Sequence, residues 1–245
     1  MKAFPYNSVL DEVTSTNEYA KVMGEEGAPH GTWIAARTQT GGRGRLGRVW
    51  QSHEGNLFIS FVLRPEKNFP MTWVPLATAL AVFETALMLK NFEGLALKWP
   101  NDLGFRDRKL GFRKIGGILC EGFGNPSGSY IVAGIGVNCA IAPETDQPTA
   151  SLGVQVDDFR EELVKRLPAV FTRNLEELRI DYERASLLRT GDSISWLDLR
   201  LPPGSPEEVG TFERYGDHGE ILARAEGSSE IRKLYSEEVK LRLSR

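Results

Sequence analysis

The segment TWIAARTQTGGRGRLGRVWQSHEGNLFISFVL, residues 32–63, decides the fold class of this chain. Two apolar runs, TWIAAR (32–37) and NLFISFVL (56–63), flank a loop rich in glycine and arginine, and both runs are typical of β-strands. The spacing Gly42-x-Gly44-x-x-Gly47 matches a dinucleotide-binding fingerprint, but that fingerprint must lead into a helix. A strand follows here, which argues against a Rossmann fold.

Helices are predicted on both sides of this segment. Ser15-Thr16-Asn17-Glu18 matches the S-x-x-E capping box and predicts a helix that begins near Ser15. PLATALAVFETALMLK, with its start near Thr72, is mostly apolar and predicts a buried helix. VDDFREELVKRL (156–167) predicts a third helix, which Pro168 breaks or kinks before a helical stretch to about Ala185.

The remaining strands define the domain organisation. LALKWP (95–100), KIGGILCEG (114–122) and SYIVAGIGVNC (129–139) predict a mixed sheet with helices gathered on one side, in an α+β catalytic domain over residues 1–187. Short alternating runs after Leu188 predict a small all-β barrel of about five strands over residues 188–245.

Composition narrows the class of partner. The chain has 245 residues, and 30 basic against 33 acidic residues give a net charge of −3, so we expect no nucleic-acid and no membrane partner. The N-terminus lacks the layout of a secretory signal, and no apolar run is expected to span a membrane, which favours a cytoplasmic protein. Cys120 and Cys139 lie in apolar segments without metal-ligand spacing and are expected to be reduced core thiols.

The loop between the two strands predicts an anionic ligand. No acidic residue lies between Arg37 and Glu54. Guanidinium groups and the free amides of a glycine-rich loop suit phosphate and carboxylate oxygens. A P-loop is excluded because no Gly-Lys-Ser/Thr ends the segment. A surface turn or an RNA-contacting tract remains an alternative interpretation.

Two further motifs carry candidate chemistry. KWPND (98–102) ends in Asn101 and Asp102, whose oxygens suit Mg²⁺ or a phosphate-bearing ligand, although an Asx turn would explain them equally well. In KIGGIL (114–119), Lys114 precedes a glycine pair that lets a ligand approach the backbone. The alternative for Lys114 is a solvated lysine at the end of a strand.

Together these segments resemble the biotin protein ligase family. The matching motifs occur in the family's order: TSTNEYA (14–20), TQTGGRGRLGRVW (38–50), KWPND, KIGGIL and GIGVN (134–138). Residues 191–241 resemble the family's SH3-like C-terminal domain more loosely. The resemblance implies an enzyme that activates biotin with ATP to biotinyl-5′-AMP and pyrophosphate. It then transfers biotin to one lysine of a biotin carboxyl carrier protein.

The resemblance also implies the roles of individual residues. Biotin-binding positions are Ser15, Thr16, Asn17, Gln39, Gly42, Arg43, Lys114 and Gly117. Positions that bind ATP or the adenylate are Arg43, Arg45, Arg48, Trp50, Asn101 and Asn138. Catalytic positions are Lys114, Arg45 and Asp102, and Asp102 is also the implied Mg²⁺ ligand.

Several alternatives stay open. Lys109-Leu110-Gly111 partly repeats the lysine–glycine motif, which makes Lys109 a rival of Lys114. Attachment of lipoate or octanoate is the alternative within the superfamily, and an RNA-binding module is the alternative of another class. About a dozen residues precede Ser15, too few for a winged helix-turn-helix, so we expect no binding to an operator. Whether the chain forms a homodimer is undecided.

Overall fold

A computed structural model describes residues 6–125, 128–236 and 238–243. The first part of the chain contains, in order, β1 (Ser8–Val13), α1 (Thr16–Glu25), β2 (Thr32–Gln39), β3 (Leu57–Leu63), α2 (Val74–Leu89), β4 (Leu95–Lys98), β5 (Asp102–Asp107), β6 (Gly111–Asn125), β7 (Gly128–Val137), α3 (Val156–Val170) and α4 (Leu175–Ala185). The second part contains β8 (Ser193–Asp198), β9 (Glu208–Tyr215), β10 (Ile221–Ala225), β11 (Ile231–Leu234) and β12 (Val239–Leu243).

The first part forms a seven-stranded mixed sheet in the order β1-β2-β3-β7-β6-β5-β4. Only the β1–β2 pair among these described strands is parallel, and the other pairs are antiparallel. The α+β class is therefore confirmed, and both strands of the opening segment form as predicted. The buried helix α2 also forms, after a short 3₁₀ turn at Met71–Trp73.

Helices cover both faces of this sheet, so the expectation of helices on one side only was wrong. Ile59 and Phe61 of β3 pack into the large core beneath α2, α3 and α4. Val62, on the opposite face of the same strand, packs in a second core with Ala20 and Met23 of α1. Because both faces are covered, every residue of β3 is buried.

Two local predictions need correction, and one element was not predicted. Ser15 occupies the N-cap of α1, but its side chain makes no capping hydrogen bond, and Glu18 pairs with Arg43 at 2.7 Å instead. The connection after KWPND is a β-hairpin, because β5 pairs with β6 through a turn at residues 108–110. Pro168 lies within the last turn of α3, which continues to Val170 before α4.

The expectation that no segment is apolar enough to span a membrane was also wrong. Residues Met71–Leu89 form a helix that is long and apolar enough by length and composition, and 61% of it is buried inside the protein. The core helix of a soluble domain passes the same test, and α2 packs closely on α3. Its apolar character is explained by this internal packing.

The second part forms a five-stranded antiparallel sheet in the order β11-β10-β9-β8-β12. The five C-terminal strands thus form as predicted, and Ile194, Trp196 and Tyr215 belong to the same continuous core as the helices of the first part. Trp73 and Trp99 each donate an indole hydrogen bond to the turn before β10, at 2.9 Å to the carbonyls of Asp217 and Gly219. The division at residues 187/188 stays a prediction.

Candidate functional site

The floor of the site is a patch of glycines on the α1 face of the sheet. Ser60 of β3 lies opposite Gly134 of β7, and Gly136 lies opposite Gly117 of β6, so these four residues share one face. A Cβ on Gly134 would lie 2.0 Å from Oδ1 of Asn17, and one on Gly136 would lie 2.4 Å from the Trp50 ring. The glycines of KIGGIL and GIGVN therefore make room for two side chains of the site.

Above this floor lies a cavity of about 980 Å³. Of the positions singled out from the sequence, those that line it are Ser15, Thr16, Asn17, Gln39, Arg43, Arg45, Arg48, Trp50, Asn101, Asp102, Lys114, Gly117 and Asn138. Its volume falls within the range of small-molecule pockets. Residues that the sequence places far apart thus form a single site.

Two residues from the sequence analysis lie elsewhere. Gly42 does not line the cavity, and its carbonyl accepts a hydrogen bond from the Trp50 amide at 2.9 Å, which closes the base of the loop. Lys109 is exposed in the turn between β5 and β6. Its backbone amide donates to Asp107 at 2.9 Å, as expected for an Asx turn. The geometry therefore favours Lys114 over Lys109.

One end of the cavity is neutral and polar. The backbone amide of Thr16 donates to Oε1 of Gln39 at 2.9 Å, so the Gln39 side chain satisfies a free donor at the start of α1. Ser60 lies 2.7 Å from the Thr16 hydroxyl and 2.6 Å from Oδ1 of Asn17. The side chains of Ser60, Thr16 and Asn17 are all buried. This end can hold an uncharged group rich in hydrogen-bonding atoms.

The other end of the cavity carries charge. Lys114 forms an ion pair with Asp102 at 2.7 Å, with both side chains mostly buried. The Lys114 ammonium also lies 5.4 Å from the centre of the Trp50 ring. Asn101 is fixed by donating its amide to the Ile118 carbonyl at 2.6 Å. An aromatic surface beside a lysine and a carboxylate suits a nucleotide with its phosphates.

The loop between β2 and β3, residues 40–56, joins these two ends and is called the arginine loop because it carries Arg43, Arg45 and Arg48. Arg45 donates to Oδ1 of Asn101 at 3.3 Å and to the Ser236 carbonyl of the C-terminal sheet at 2.7 Å. Arg43 pairs with Glu18 at 2.7 Å and with Glu121 at 3.1 Å. The loop is thus fixed by contacts to both parts of the molecule, while its charged groups face the cavity.

Two buried polar atoms at the charged end of the cavity have no protein partner among the described residues. They are Nε1 of Trp50 and Oδ1 of Asn138. Asn138 is otherwise held by its amide, which donates to the Ala150 carbonyl at 3.0 Å. Both atoms are almost inaccessible to solvent, and Nε1 of Trp50 lies against Gly136 of the sheet, so they are internal unsatisfied groups and do not themselves identify a ligand.

Several residues of the site were not predicted from the sequence. Lys98 lines the cavity, and burial lowers the pKa of its ammonium group, while Asp102 opposes that shift. Ser60 had a visible signal, because it is a polar residue inside an apolar strand. Residues from the C-terminal part of the chain gave no such signal in the sequence, since long-range packing places them at the cavity. They are Leu199, Ser236, Val239, Leu241 and Arg242.

The two cysteines are outside this chemistry. Neither forms a disulfide, and burial raises the pKa of Cys120 and of Cys139 to about 12. Thiols with such pKa values remain protonated at neutral pH and are poor nucleophiles. Both therefore act as core residues, as the sequence predicts.

Comparison with known proteins agrees with this site. A profile of the biotin/lipoate A/B protein ligase family matches residues 9–138. The biotin–[acetyl-CoA-carboxylase] ligase of Paracoccus denitrificans is 32% identical in an alignment that covers 91% of this chain and 96% of that protein. The enzyme of the same name from Mycobacterium tuberculosis is 30% identical and covers 91% of this chain and 85% of that protein.

A solved structure gives the same answer for the fold. The biotin protein ligase from Aquifex aeolicus in complex with biotin and ATP has a TM-score of 0.77 and 27% identity, over 97% of this chain and 98% of that chain. The chain therefore belongs to the biotin/lipoate A/B protein ligase family. Within that family, its similarity is to the biotin protein ligases.

Proposed function

We propose that this chain is an ATP-dependent biotin protein ligase that forms biotinyl-5′-AMP and transfers biotin to a lysine of a biotin carboxyl carrier protein. The observation that carries the proposal is the single cavity with a neutral polar end and a charged, aromatic end, bridged by the arginine loop. Biotin has an uncharged ureido ring at one end and a carboxylate at the other. That polarity matches the polarity of the cavity.

The first step joins two anions. The biotin carboxylate attacks the α-phosphorus of ATP, a P–O bond to pyrophosphate breaks, and a mixed anhydride forms. Charge repulsion opposes the approach, and charge builds on the phosphate oxygens as the bond forms. Lys114 and Arg45 lie at the charged end of the cavity and are placed to neutralise that charge. Trp50 would pack beside the adenine ring.

A Mg²⁺ ion fits this end of the site when ATP phosphates and water supply most of its ligands. The described residues contain no group of three His, Cys, Asp or Glu side chains that could hold a metal ion. Asp102 lines the charged end beside Lys114, and Asp146 also lines the cavity. Mg²⁺ is commonly held by one carboxylate together with substrate phosphates and water. Asp102 would thus hold Mg²⁺ on the ATP phosphates, where the ion supplies further positive charge.

The second step transfers the acyl group without a covalent enzyme intermediate. The amine of the carrier lysine attacks the carbonyl of the mixed anhydride, an amide bond forms and AMP leaves. Until the carrier arrives, the adenylate must be kept from water and from other amines. Arg45 contacts both Asn101 and the Ser236 carbonyl, so it is placed to hold the loop over the bound adenylate.

The direct experiment mixes purified protein, biotin and MgATP without a carrier. Mass spectrometry should detect biotinyl-5′-AMP, and pyrophosphate should be released. Lipoate and octanoate serve as controls in the same assay and in thermal shift, because a ligand that binds the folded state raises its stability. An adenylate formed from lipoate but not from biotin would contradict the proposal.

A further inference from the structure

The carboxylate of Glu121 lies behind the polar end of the cavity and has no role in the two chemical steps. Oε2 of Glu121 accepts hydrogen bonds from Nδ2 of Asn17 at 2.7 Å and from Arg43 at 3.1 Å. Glu121 follows Gly117 on β6 by an even number of residues, so both lie on the α1 face of the sheet. It is not part of the cavity lining, and any effect on a ligand must pass through another residue.

Glu121 fixes the orientation of the Asn17 amide. A carboxylate accepts hydrogen bonds and donates none, so the NH₂ group of Asn17 must face Glu121. The same NH₂ group lies 3.4 Å from a second acceptor, the Leu119 carbonyl. Oδ1 of Asn17 then faces Ser60 at 2.6 Å. The reversed amide would place its oxygen against the carboxylate at hydrogen-bond distance, which is unfavourable.

This orientation determines where the two hydroxyl hydrogens go. Oδ1 of Asn17 cannot donate, so Ser60 must donate its hydrogen to Asn17. The Thr16 hydroxyl lies 2.7 Å from the Ser60 oxygen, and a contact this short needs a hydrogen between the two oxygens, so Thr16 must donate to Ser60. The Thr16 hydrogen is therefore used within the protein. Thr16 offers the cavity lone pairs only.

We infer that Glu121 is a positioning residue that makes Thr16 a hydrogen-bond acceptor and thereby selects a ligand that presents an N–H group at this end of the cavity. Without Glu121, only the longer 3.4 Å contact to the Leu119 carbonyl holds the Asn17 NH₂ group, and the amide can turn that group toward Ser60. Ser60 could then donate to Thr16, and the Thr16 hydrogen would point to the ligand. The inference rests on the proposed function, in which a ureido N–H is the group presented.

Three single variants test this inference. Glu121→Leu removes the acceptor, whereas Glu121→Gln keeps an oxygen that can accept from Asn17. Glu18→Leu is the matched control, because it removes the other carboxylate paired with Arg43, in an ion pair that does not involve the Asn17 amide. Biotin Kd is measured by calorimetry and ATP KM by pyrophosphate exchange, with melting temperatures to check folding.

Glu121→Leu should weaken biotin binding about tenfold or more, the scale of a lost buried hydrogen bond, with ATP KM within about twofold. Glu121→Gln should stay within about threefold of the parent, and so should Glu18→Leu. An equal loss in Glu18→Leu would show that Glu121 acts through Arg43, and an unchanged Kd in Glu121→Leu would show that it does nothing. Either result overturns the inference.

A double-variant cycle tests the path through Thr16. Thr16→Val removes the hydroxyl group at nearly constant shape and should itself weaken biotin binding. If Glu121 acts through that hydroxyl group, adding Glu121→Leu to Thr16→Val should cause little further loss of biotin affinity. Additive effects would contradict the inference while leaving the proposed function intact. A parent protein that fails to bind biotin at all would instead contradict the proposed function.

Discussion

At the residue scale, the position of Lys114 predicts its importance. It lines the cavity with Asp102 and Trp50, whereas Lys109 is exposed in a turn. Lys114→Ala should lower the rate of adenylate synthesis by about a hundredfold or more, because a charge that acts on the developing phosphate is lost. Lys109→Ala should stay within about threefold of the parent. Pyrophosphate release and melting temperatures of both variants measure this, and the reverse ranking would assign the role to Lys109.

Arg45 carries a second prediction at this scale. Its two hydrogen bonds join the loop to Asn101 and to the C-terminal sheet. Arg45→Gly should release the adenylate about tenfold to a hundredfold faster, since charge-assisted hydrogen bonds of about 1.5–3 kcal/mol are lost. Released adenylate reacts with bystander lysines, which a biotin blot detects.

Arg37→Ala is the control for Arg45→Gly. Arg37 precedes the loop, is exposed and pairs with Asp11 at 3.4 Å, so this variant should keep biotin confined to the carrier. Confinement of biotin in Arg45→Gly as well, with release at the parent rate, would remove the holding role of Arg45.

Single residues also show how far the sequence could predict the site. Arginines in a loop without acidic residues, and a lysine before a glycine pair, are local signals of anion chemistry, and these residues do line the cavity. Glu121 gave no such signal, because its partners Asn17 and Arg43 are about 100 and 80 residues away in sequence. Its position depends on the pairing of β6 with β7, which the sequence did not specify.

At the scale of elements, two glycines on β7 control opposite ends of the cavity. A Cβ on Gly134 would displace Asn17, and a Cβ on Gly136 would displace Trp50. Gly134→Ala should therefore raise the biotin Kd by about tenfold with a smaller effect on ATP KM, and Gly136→Ala should show the opposite ranking. Calorimetry and pyrophosphate exchange on both variants measure this. Equal effects of both variants on both ligands would mean that β7 tolerates neither and that the two ends are not separate.

The elements themselves were predictable where their pattern was strong. The apolar run of β3 and the helix formers of α2 identified both elements. The hairpin between β5 and β6 was not predicted, because the charged run Arg106, Asp107, Arg108 and Lys109 lacks the apolar alternation of a strand. Its first strand, β5, lies next to the edge strand β4, where charged side chains are compatible with pairing. The position of α1 was missed because periodicity defines an apolar face but not the side of the sheet that it covers.

At the scale of the whole molecule, the two sheets are expected to unfold together. Their cores are continuous, and Trp73 and Trp99 donate to the same turn of the C-terminal sheet at 2.9 Å. Calorimetry should therefore show one cooperative transition whose calorimetric and van't Hoff enthalpies agree. Two separated transitions would mean that the predicted division at residues 187/188 separates independently stable domains.

The two tryptophans measure the coupling between the sheets. Trp73→Phe and Trp99→Phe each remove an indole donor and keep most of the apolar area. Combined, they should lower the free energy of unfolding by about 1.5–4.5 kcal/mol, since the buried Gly219 carbonyl loses its partner at about 1–3 kcal/mol and the hydrogen bond to the exposed Asp217 contributes about 0.5–1.5 kcal/mol. Denaturant unfolding followed by fluorescence and by circular dichroism gives this value. The control is Trp33→Phe, because Trp33 lies on β2 and pairs with Phe61 of the first sheet.

The same double variant tests whether the tryptophan contacts hold the C-terminal sheet in place. If they do, it should also weaken the hydrogen bond from Arg45 to the Ser236 carbonyl and release adenylate faster than the Trp33→Phe control. Parent-like adenylate release in a destabilised but folded double variant would show that the arginine loop is held without help from this contact between the sheets.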